Sequence, residues 1–357
     1  MVQIVCLADT PWRSAGARTQ QLMVRLKNAQ VLYFEPPGRT WRQPGREMRP
    51  GLTVFTLPPF PEVEEDRRLL FRLRYRRMAA FILRQMERRR FREPLLWCTA
   101  PEQVHLLDAV PHRGVVYDCG RDWPDPPPEW ESDLALAADV VFAASPGLIH
   151  HLSPCNDNIA LLPNGVNYPM FSRPAGECPP ELAGVRGPVL GFHGTVWDNL
   201  ELEPVHRAAQ AMPECTFVLL GPAEDSRELR RLSKLPNVLL VGRRPLMEVP
   251  DYLARFDVCF DLPRRSERFG DIIPSRVYEY LSSGRPIVAL YYPEQVEPFP
   301  DVIYAAHSPE EFVRLCRRAL AETGDWARQR RREHGAAAAW PLRAEQVVKI
   351  LGAIGLY

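Results

Sequence analysis

Chemistry-bearing residues are densest in the stretch Phe269-Gly270-Asp271-Ile272-Ile273-Pro274-Ser275-Arg276-Val277-Tyr278-Glu279-Tyr280-Leu281-Ser282-Ser283-Gly284. Pro274 suits the first position of a helix, and Gly284 suits the left-handed residue that ends one. The amides of Ser275 and Arg276 then stand unpaired at a helix N-terminus, where they and the helix dipole favour an anion. Arg276 and Glu279 are three residues apart and share one helical face. A cation there suits a phosphate, and a carboxylate one turn later accepts from two adjacent hydroxyls, so the pair matches the phosphate and ribose of a nucleotide. The same spacing fits a surface ion pair worth roughly 0.2–0.5 kcal/mol, and because such pairs are common, spacing alone favours that reading.

A helix of this kind needs a sheet to set its N-terminus, and the chain is written as alternating strands and helices. In the first half, short apolar runs predict strands at 2–8, 31–34, 52–57, 95–99, 115–117 and 140–144. Helices are expected between them at about 17–27, 66–90 and 129–138, and Ser145-Pro146 opens a short one. The rhythm breaks at Leu161-Leu162-Pro163-Asn164-Gly165 and in the Pro/Gly-rich stretch 169–188, the best place for a domain boundary. A second series then predicts strands at 189–192, 217–220, 238–241, 258–262, 287–290 and 302–305. Ser308-Pro309-Glu310-Glu311 is a capping box with proline at the first helical position, starting a helix to about residue 322. After a gap at Gly335, a last helix at about 341–351 has no strand to return to and must pack on an existing surface. The expectation is an α/β chain of two doubly wound domains, 1–166 and 167–340, with 341–357 packing back on the first. Two such domains facing each other would place the carboxyl ends of both sheets at one cleft, where open sheets bind ligands.

Composition narrows the classes. The 357 residues include 45 basic and 44 acidic side chains, a net charge of +1, which argues against a nucleic-acid binder working through overall charge. Only Lys27, Lys234 and Lys349 are lysine, a bias that fits a GC-rich coding background. The eight cysteines include no C-x-x-C pair and read as small apolar residues in a reducing compartment. The N-terminus begins on a strand without a signal-peptide pattern, and no uncharged apolar run approaches ~18 residues, so a cytoplasmic or peripheral protein is expected.

The 269–289 segment resembles the donor-site signature of GT-B glycosyltransferases, in particular the bacterial family-4-like "group 1" enzymes, with Asp271 standing where their first glutamate is usual. The resemblance implies that Glu279 holds the ribose hydroxyls. It implies too that Asp271, with the amides of Ile272 and Ile273, faces the donor sugar and pyrophosphate. Four other stretches are similar to that family: Leu162-Pro163-Asn164-Gly165-Val166-Asn167 (the turn ending the first domain), Gly191-Phe192-His193-Gly194-Thr195 (the loop facing the diphosphate), Val241-Gly242-Arg243-Arg244-Pro245 (the base-reading segment) and Trp340-Pro341-Leu342-Arg343 (the terminal helix). Where these enzymes carry an arginine and a lysine after the Gly-Thr loop, this sequence has Val196-Trp197-Asp198-Asn199, which leaves more of the phosphate charge to Arg276. In the first half, Ser14-Ala15-Gly16-Ala17-Arg18 sits at the position of a glycine-rich loop beneath donor and acceptor. Tyr117-Asp118-Cys119-Gly120-Arg121-Asp122 resembles an acceptor-domain pattern in which Asp118 or Asp122 binds acceptor or acts as a base; both also fit turn caps. His193 suits a phosphate ligand, a leaving-group acid or a cleft-lining side chain, while His150-His151 reads as a bland helix end.

The function expected is metal-independent, retaining transfer of a sugar from a nucleotide sugar, UDP-linked in preference to GDP-linked, to a sugar or lipid-linked acceptor in cell-envelope polysaccharide or glycolipid synthesis. No D-x-D motif is present, and a helix dipole with Arg276 can stabilise a departing diphosphate without a metal. A nucleotide-sugar epimerase of the same fold and a non-catalytic nucleotide-binding subunit are the alternatives. Finally, residues 67–92 hold 11 arginines against one acid, Glu87, interleaved with apolar residues. A basic amphipathic helix at 66–90 suits an anionic membrane surface at the inner face of the cell membrane, or a solvated face enriched in arginine by genome composition.

Overall fold

A computed structural model of the chain describes residues 1–12, 17–61, 68–196, 200–264, 271–291 and 293–357. The expectations placed on Ser14, Ala15, Gly16, Trp197, Asp198, Asn199, Phe269 and Gly270 lie outside the described residues.

The chain divides into two units, Met1–Pro163 with Pro341–Tyr357, and Asn164–Trp340. The division thus falls at Pro163, three residues before the position read from the sequence. The first unit carries eight strands: β1 (Val2–Leu7), β2 (Ala29–Glu35), β3 (Arg46–Arg49), β4 (Leu52–Thr56), β5 (Leu95–Cys98), β6 (Gly114–Cys119), β7 (Val140–Ala143) and β8 (Ile159–Leu161). They lie in the order β3-β4-β2-β1-β5-β6-β7-β8, so the strand order turns back between β1 and β5. Every pairing is parallel except that of β3 with β4. The sequence reading misses β3 because Arg-Glu-Met-Arg has no apolar alternation; it is an exposed, charged edge that discourages pairing with another chain.

The first unit's helices are α1 (Arg18–Met23), α2 (Arg68–Arg88), α3 (Pro128–Ala137) and α4 (Pro146–Leu152). The helix expected to reach residue 27 stops at Met23 because Arg49 satisfies its terminal carbonyls. The Arg49 guanidinium donates to the carbonyls of Met23, Val24 and Leu26, each at 3.1 Å.

The second unit has six parallel strands: β9 (Val189–His193), β10 (Thr216–Leu220), β11 (Val238–Gly242), β12 (Val258–Asp261), β13 (Ile287–Ala289) and β14 (Ile303–Ala305). Their order is β11-β10-β9-β12-β13-β14, so the sheet grows outward in both directions from the β9/β12 junction. Its helices are α5 (Tyr168–Phe171), α6 (Glu203–Ala211), α7 (Arg227–Leu232), α8 (Val249–Leu253), α9 (Ser275–Ser283), α10 (Pro293–Val296), α11 (Pro309–Leu320) and α12 (Asp325–Ala337). Both faces of the sheet are covered, which is why its strands read as unbroken apolar runs. Along β10, Phe217 and Leu219 join Val205 of α6 and Phe312 of α11, while Val218 and Leu220 join Tyr252 of α8 and Val277 of α9. Buried thiols belong to these interiors; burial pushes Cys259 up to about 12, so it packs as an apolar group.

Two expectations at helix ends are corrected. Pro274 is the residue before α9, in extended conformation, and Ser275 is the first helical residue. Gly335 is no gap: α12 runs through it because a side chain there would meet Ser282 of α9 at 2.5–2.8 Å, so the glycine lets the two helices approach closely. At α11, Ser308 accepts from the Glu311 amide as expected, but the Glu311 carboxylate reaches back to the His307 amide rather than to Ser308.

Helix α13 (Trp340–Ala353) begins at the last residue of the second unit and belongs to the first unit from Pro341 onward. There the Gln346 side chain donates to the Leu161 carbonyl at 2.8 Å and Arg113 donates to the carbonyl of Leu356. The second unit's entry and exit run side by side: the Val166 amide donates to Ala338 and the Trp340 amide to Val166, each at 3.0 Å.

Candidate active site

In an open parallel sheet, ligands gather beyond the carboxyl ends of the strands where the strand order turns back. In the second unit that place is the β9/β12 junction. His193 is the last residue of β9 and Asp261 the last of β12, and the two strands pair directly. Helix α9 then supplies the side chains that meet them. The hydroxyl of the fully buried Tyr280 accepts from the His193 amide at 2.7 Å and lies 3.4 Å from the His193 carbonyl, which it meets as donor. This clamp fixes the end of β9 against α9.

Arg276 and Glu279 do not pair with each other, which removes the surface ion-pair reading. Arg276 Nε donates to Asp261 Oδ1 at 2.7 Å, and Asp261 Oδ2 accepts from the Tyr291 hydroxyl. Asp261 has no solvent exposure, so an interior carboxylate is satisfied by a guanidinium and a phenol. Burial pushes the Arg276 guanidinium down, and the Asp261 carboxylate more than reverses this, leaving it above the ordinary arginine range. Burial, reinforced by the Asp261 charge, pushes the Tyr291 phenol well up and keeps it neutral. The Arg276 guanidinium also lies 5.2 Å over the Phe192 ring, and its Nη groups have no partner among the described residues.

Glu279 Oε2 meets His193 Nδ1 at 3.0 Å, with side chains 13% and 18% exposed respectively. A carboxylate accepts only, so in the neutral ring Nδ1 carries the proton and Nε2 keeps its lone pair. Glu279 thereby orients His193 and retains Oε1 for a further donor.

The loop after β9 crosses directly over this cluster. Gly194 has φ +144°, and a side chain there would lie 3.1 Å from the Phe192 ring and 3.5 Å from Arg276 Nη1. Only glycine keeps that approach to the guanidinium open. The Gly194 amide donates to Leu220 at 2.9 Å and the Val196 amide to Pro222 at 2.8 Å, tying the loop to the end of β10; Thr195 between them is half-buried. Ahead of α9, Asp271, Ile272 and Ser275 are half-buried and Ile273 is buried. The Ile273 carbonyl accepts from Asn164 Nδ2 at 2.9 Å, so the Pro-Asn-Gly turn anchors the loop that precedes the helix.

Beyond β11, Arg243 is exposed, and its neighbour Arg244 is the residue held in place. Arg244 donates to Glu181 and, at 3.1 Å, to the Tyr252 hydroxyl, which donates to Glu181 Oε2 at 2.7 Å. The Tyr252 hydrogen bond, with the Glu181 backbone amide and Arg244, lowers the Glu181 carboxyl to about 2.

In the first unit Asp118 and Asp122 occupy different environments. Asp118 on β6 is buried against Arg18, whose Nε donates to its Oδ1 at 2.8 Å. Arg18 Nη1 and Asp118 Oδ2 are buried with no hydrogen-bond partner among the described residues. Asp122 instead is half-buried and lines a cavity of about 360 Å³ with Arg74, Arg121, Trp123 and Trp130. Asp9, just past β1, donates its amide to Thr99 Oγ1 at 2.8 Å; burial raises its carboxyl even with Arg121 Nε at 3.6 Å. His151, read as a bland helix end, lies with Nε2 3.1 Å from the buried Glu131, which also accepts from the Tyr117 hydroxyl at 2.7 Å. Among the described residues no three His, Cys, Asp or Glu side chains converge as metal ligands.

Sequence reasoning missed Asp261, Tyr291 and Asp9, and gave Tyr280 and Arg18 no role of their own. For Asp261 a signal was present: it is an acid closing the apolar run Val258-Cys259-Phe260, where a buried charge demands a partner.

Comparison with known proteins agrees with this fold. Residues 187–322, from β9 through α11, match the family model described as "Glycosyl transferases group 1". The putative teichuronic acid biosynthesis glycosyltransferase TuaH of Bacillus subtilis (strain 168) is 25% identical over 285 residues, spanning 72% of this chain and 71% of TuaH. Sucrose-phosphate synthase (tll1590) from Thermosynechococcus elongatus superposes with a TM-score of 0.75 at 17% identity, over 99% of each chain. Anabaena HepE in complex with UDP and glucose superposes with a TM-score of 0.70 at 16% identity, over 99% of this chain and 100% of that one. The chain has the GT-B fold, and residues 187–322 within its second unit resemble the group 1 glycosyltransferases.

Proposed function

We propose that the chain moves a sugar from a nucleotide sugar to an acceptor hydroxyl, with cell-envelope polysaccharide or glycolipid as the product class. The observation that carries this reading is the cluster at the β9/β12 junction, where Arg276, Glu279 and His193 stand beside the N-terminus of α9. Glu279 Oε1 accepts from the ribose hydroxyls. The Arg276 Nη groups and the first amides of α9 meet the diphosphate, with Asp271 and the amides of Ile272 and Ile273 toward the donor sugar. A uridine nucleotide is chosen because UDP is bound in the HepE complex. The cell-envelope setting follows the teichuronic acid role given to TuaH.

The bond from the sugar's anomeric carbon to the diphosphate breaks, and its electron pair leaves with the diphosphate. Arg276 and the helix dipole lower the energy of that growing charge, so no metal is required. The acceptor oxygen bonds to the anomeric carbon from the face the diphosphate leaves, retaining configuration, and its proton passes to the departing phosphate oxygen. His193 Nε2 faces the donor, and Asp122 in the first unit holds the acceptor. Residues 66–90 serve as the contact with an anionic membrane at its inner face; no helix among the described residues is long and apolar enough to cross a membrane.

The test incubates the purified protein with UDP-sugars and EDTA, with and without a glycan acceptor, and follows product and anomeric configuration by NMR. Acceptor-dependent transfer with retention supports the reading. An isomerised nucleotide sugar formed without acceptor indicates an epimerase instead, and nucleotide binding without turnover under any condition indicates a non-catalytic subunit.

A further inference from the structure

Helix α2 turns an unusual face to solvent. Tyr75, Met78, Ala79, Ile82 and Met86 are buried, but Leu69 (81% exposed), Leu73 (50%) and Leu83 (36%) point outward. Arg72, Arg76, Arg77, Arg84 and Arg88 share that outer face. Leucines flanked by guanidiniums along one stripe suit the boundary between acyl chains and anionic headgroups.

Beside this stripe, and sharing Arg84 and Arg88 with it, lies a cavity of about 780 Å³ also walled by Trp41, Arg42, Phe55 and Arg89. Four guanidiniums and no carboxylate line it, and none of the four has an ion-pair partner among the described residues. By contrast, Arg18 is matched to Asp118 and the buried Arg331 to Glu322. Aromatic rings hold the cavity's guanidiniums in place: Arg89 lies 4.5 Å over Phe55, and Arg42 5.2 Å over Trp41. Burial, with the neighbouring Arg88, pushes the Arg89 guanidinium down.

We propose that this cavity seats the phosphate of a membrane lipid bearing a phosphomonoester or diphosphate headgroup, while Leu69, Leu73 and Leu83 enter the interface. This rests on the membrane contact proposed above for residues 66–90. Arginine forks hold phosphate oxygens in pairs, and four of them match a headgroup carrying at least two charges better than a singly charged diester. The source is a lipid rather than free phosphate because Arg84 and Arg88 line the cavity and the leucine stripe together, so its occupant sits at the plane of the bilayer surface.

The test is vesicle co-sedimentation of the full chain with phosphatidylcholine containing either phosphatidic acid or phosphatidylglycerol, adjusted to equal surface potential. The wild type is expected to bind phosphatidic acid at least fivefold more tightly. Arg42→Gln/Arg89→Gln removes that preference and leaves phosphatidylglycerol binding within twofold. Arg42→Lys/Arg89→Lys, which keeps the charge, also weakens the preference. Arg72→Gln/Arg76→Gln lowers binding to both vesicles by similar factors and keeps the preference; thermal melts establish that each variant is folded. Equal wild-type binding to both vesicles overturns the cavity while leaving membrane contact standing, and no binding to either overturns both. Pyrophosphate that binds without vesicles as tightly as the lipid does overturns the lipid as the source.

Discussion

The Tyr280 hydroxyl and the His193 backbone form a two-point clamp, with the amide donating to the hydroxyl at 2.7 Å and the carbonyl accepting from it at 3.4 Å. A strand end and a helix are locked together at the point where the nucleotide diphosphate is proposed to bind. Tyr280→Phe leaves the His193 amide without its acceptor, a cost of about 1–3 kcal/mol in urea denaturation. Because His193 itself is retained, turnover should fall more than nucleotide affinity. A variant of wild-type stability and turnover would show the clamp to be dispensable.

The buried pair of Arg276 and Asp261 predicts strong coupling. Removing one partner leaves an uncompensated charge inside the protein, so Asp261→Asn should destabilise by about 3 kcal/mol. The double variant Asp261→Leu/Arg276→Met should recover part of that loss, since neither charge then remains. Urea melts of Asp261→Leu, Arg276→Met and the double variant complete the cycle that checks this, and additive losses would contradict it.

The two aspartates of the first unit should separate by phenotype. Asp118→Ala strips the counter-charge from buried Arg18 and should lower stability by about 3 kcal/mol. Asp122 lines an open cavity, so Asp122→Asn should weaken acceptor use, with a KM for acceptor that rises more than turnover falls. A turnover loss in Asp122→Asn that extra acceptor cannot relieve would move this residue from acceptor holding to the chemical step.

Glu181 makes a pH prediction. Its carboxyl is lowered to about 2 in the folded chain, chiefly by the Tyr252 hydroxyl, so its stabilising contribution is complete above the ordinary carboxylate range. That contribution is lost as pH falls from about 4.5 toward 2. Glu181→Gln should therefore melt below the wild type at pH 6, with the gap closing at pH 3. A gap independent of pH would rule out the ionised carboxylate as its cause.

Much of the scaffold was legible because parallel strands covered on both faces must be written as unbroken apolar runs, as Val258-Cys259-Phe260 and Ile287-Val288-Ala289 are. The exposed strand β3 and the short, half-buried strand β8 lack that signature and went unread. Arg276 and Glu279 were legible as one helical face, but their partners were not. Asp261 lies 15 residues from Arg276, and His193 lies 86 from Glu279, distances no local period reports. The end of α1 was likewise illegible, because Arg49 reaches it from 26 residues away in sequence.

The central claim is that α9 and the end of β9 hold a nucleoside diphosphate through Glu279 and Arg276. Isothermal titration of UDP into the wild type and into Glu279→Ala tests it most directly. A charge-assisted ribose contact contributes about 1.5–3 kcal/mol, so the variant should bind UDP roughly 10- to 150-fold more weakly at an unchanged melting temperature. Arg276→Ala should weaken UDP binding too, and should lower turnover beyond that loss because the diphosphate's charge grows in the transition state. UDP affinity within twofold of the wild type in folded Glu279→Ala would contradict the account.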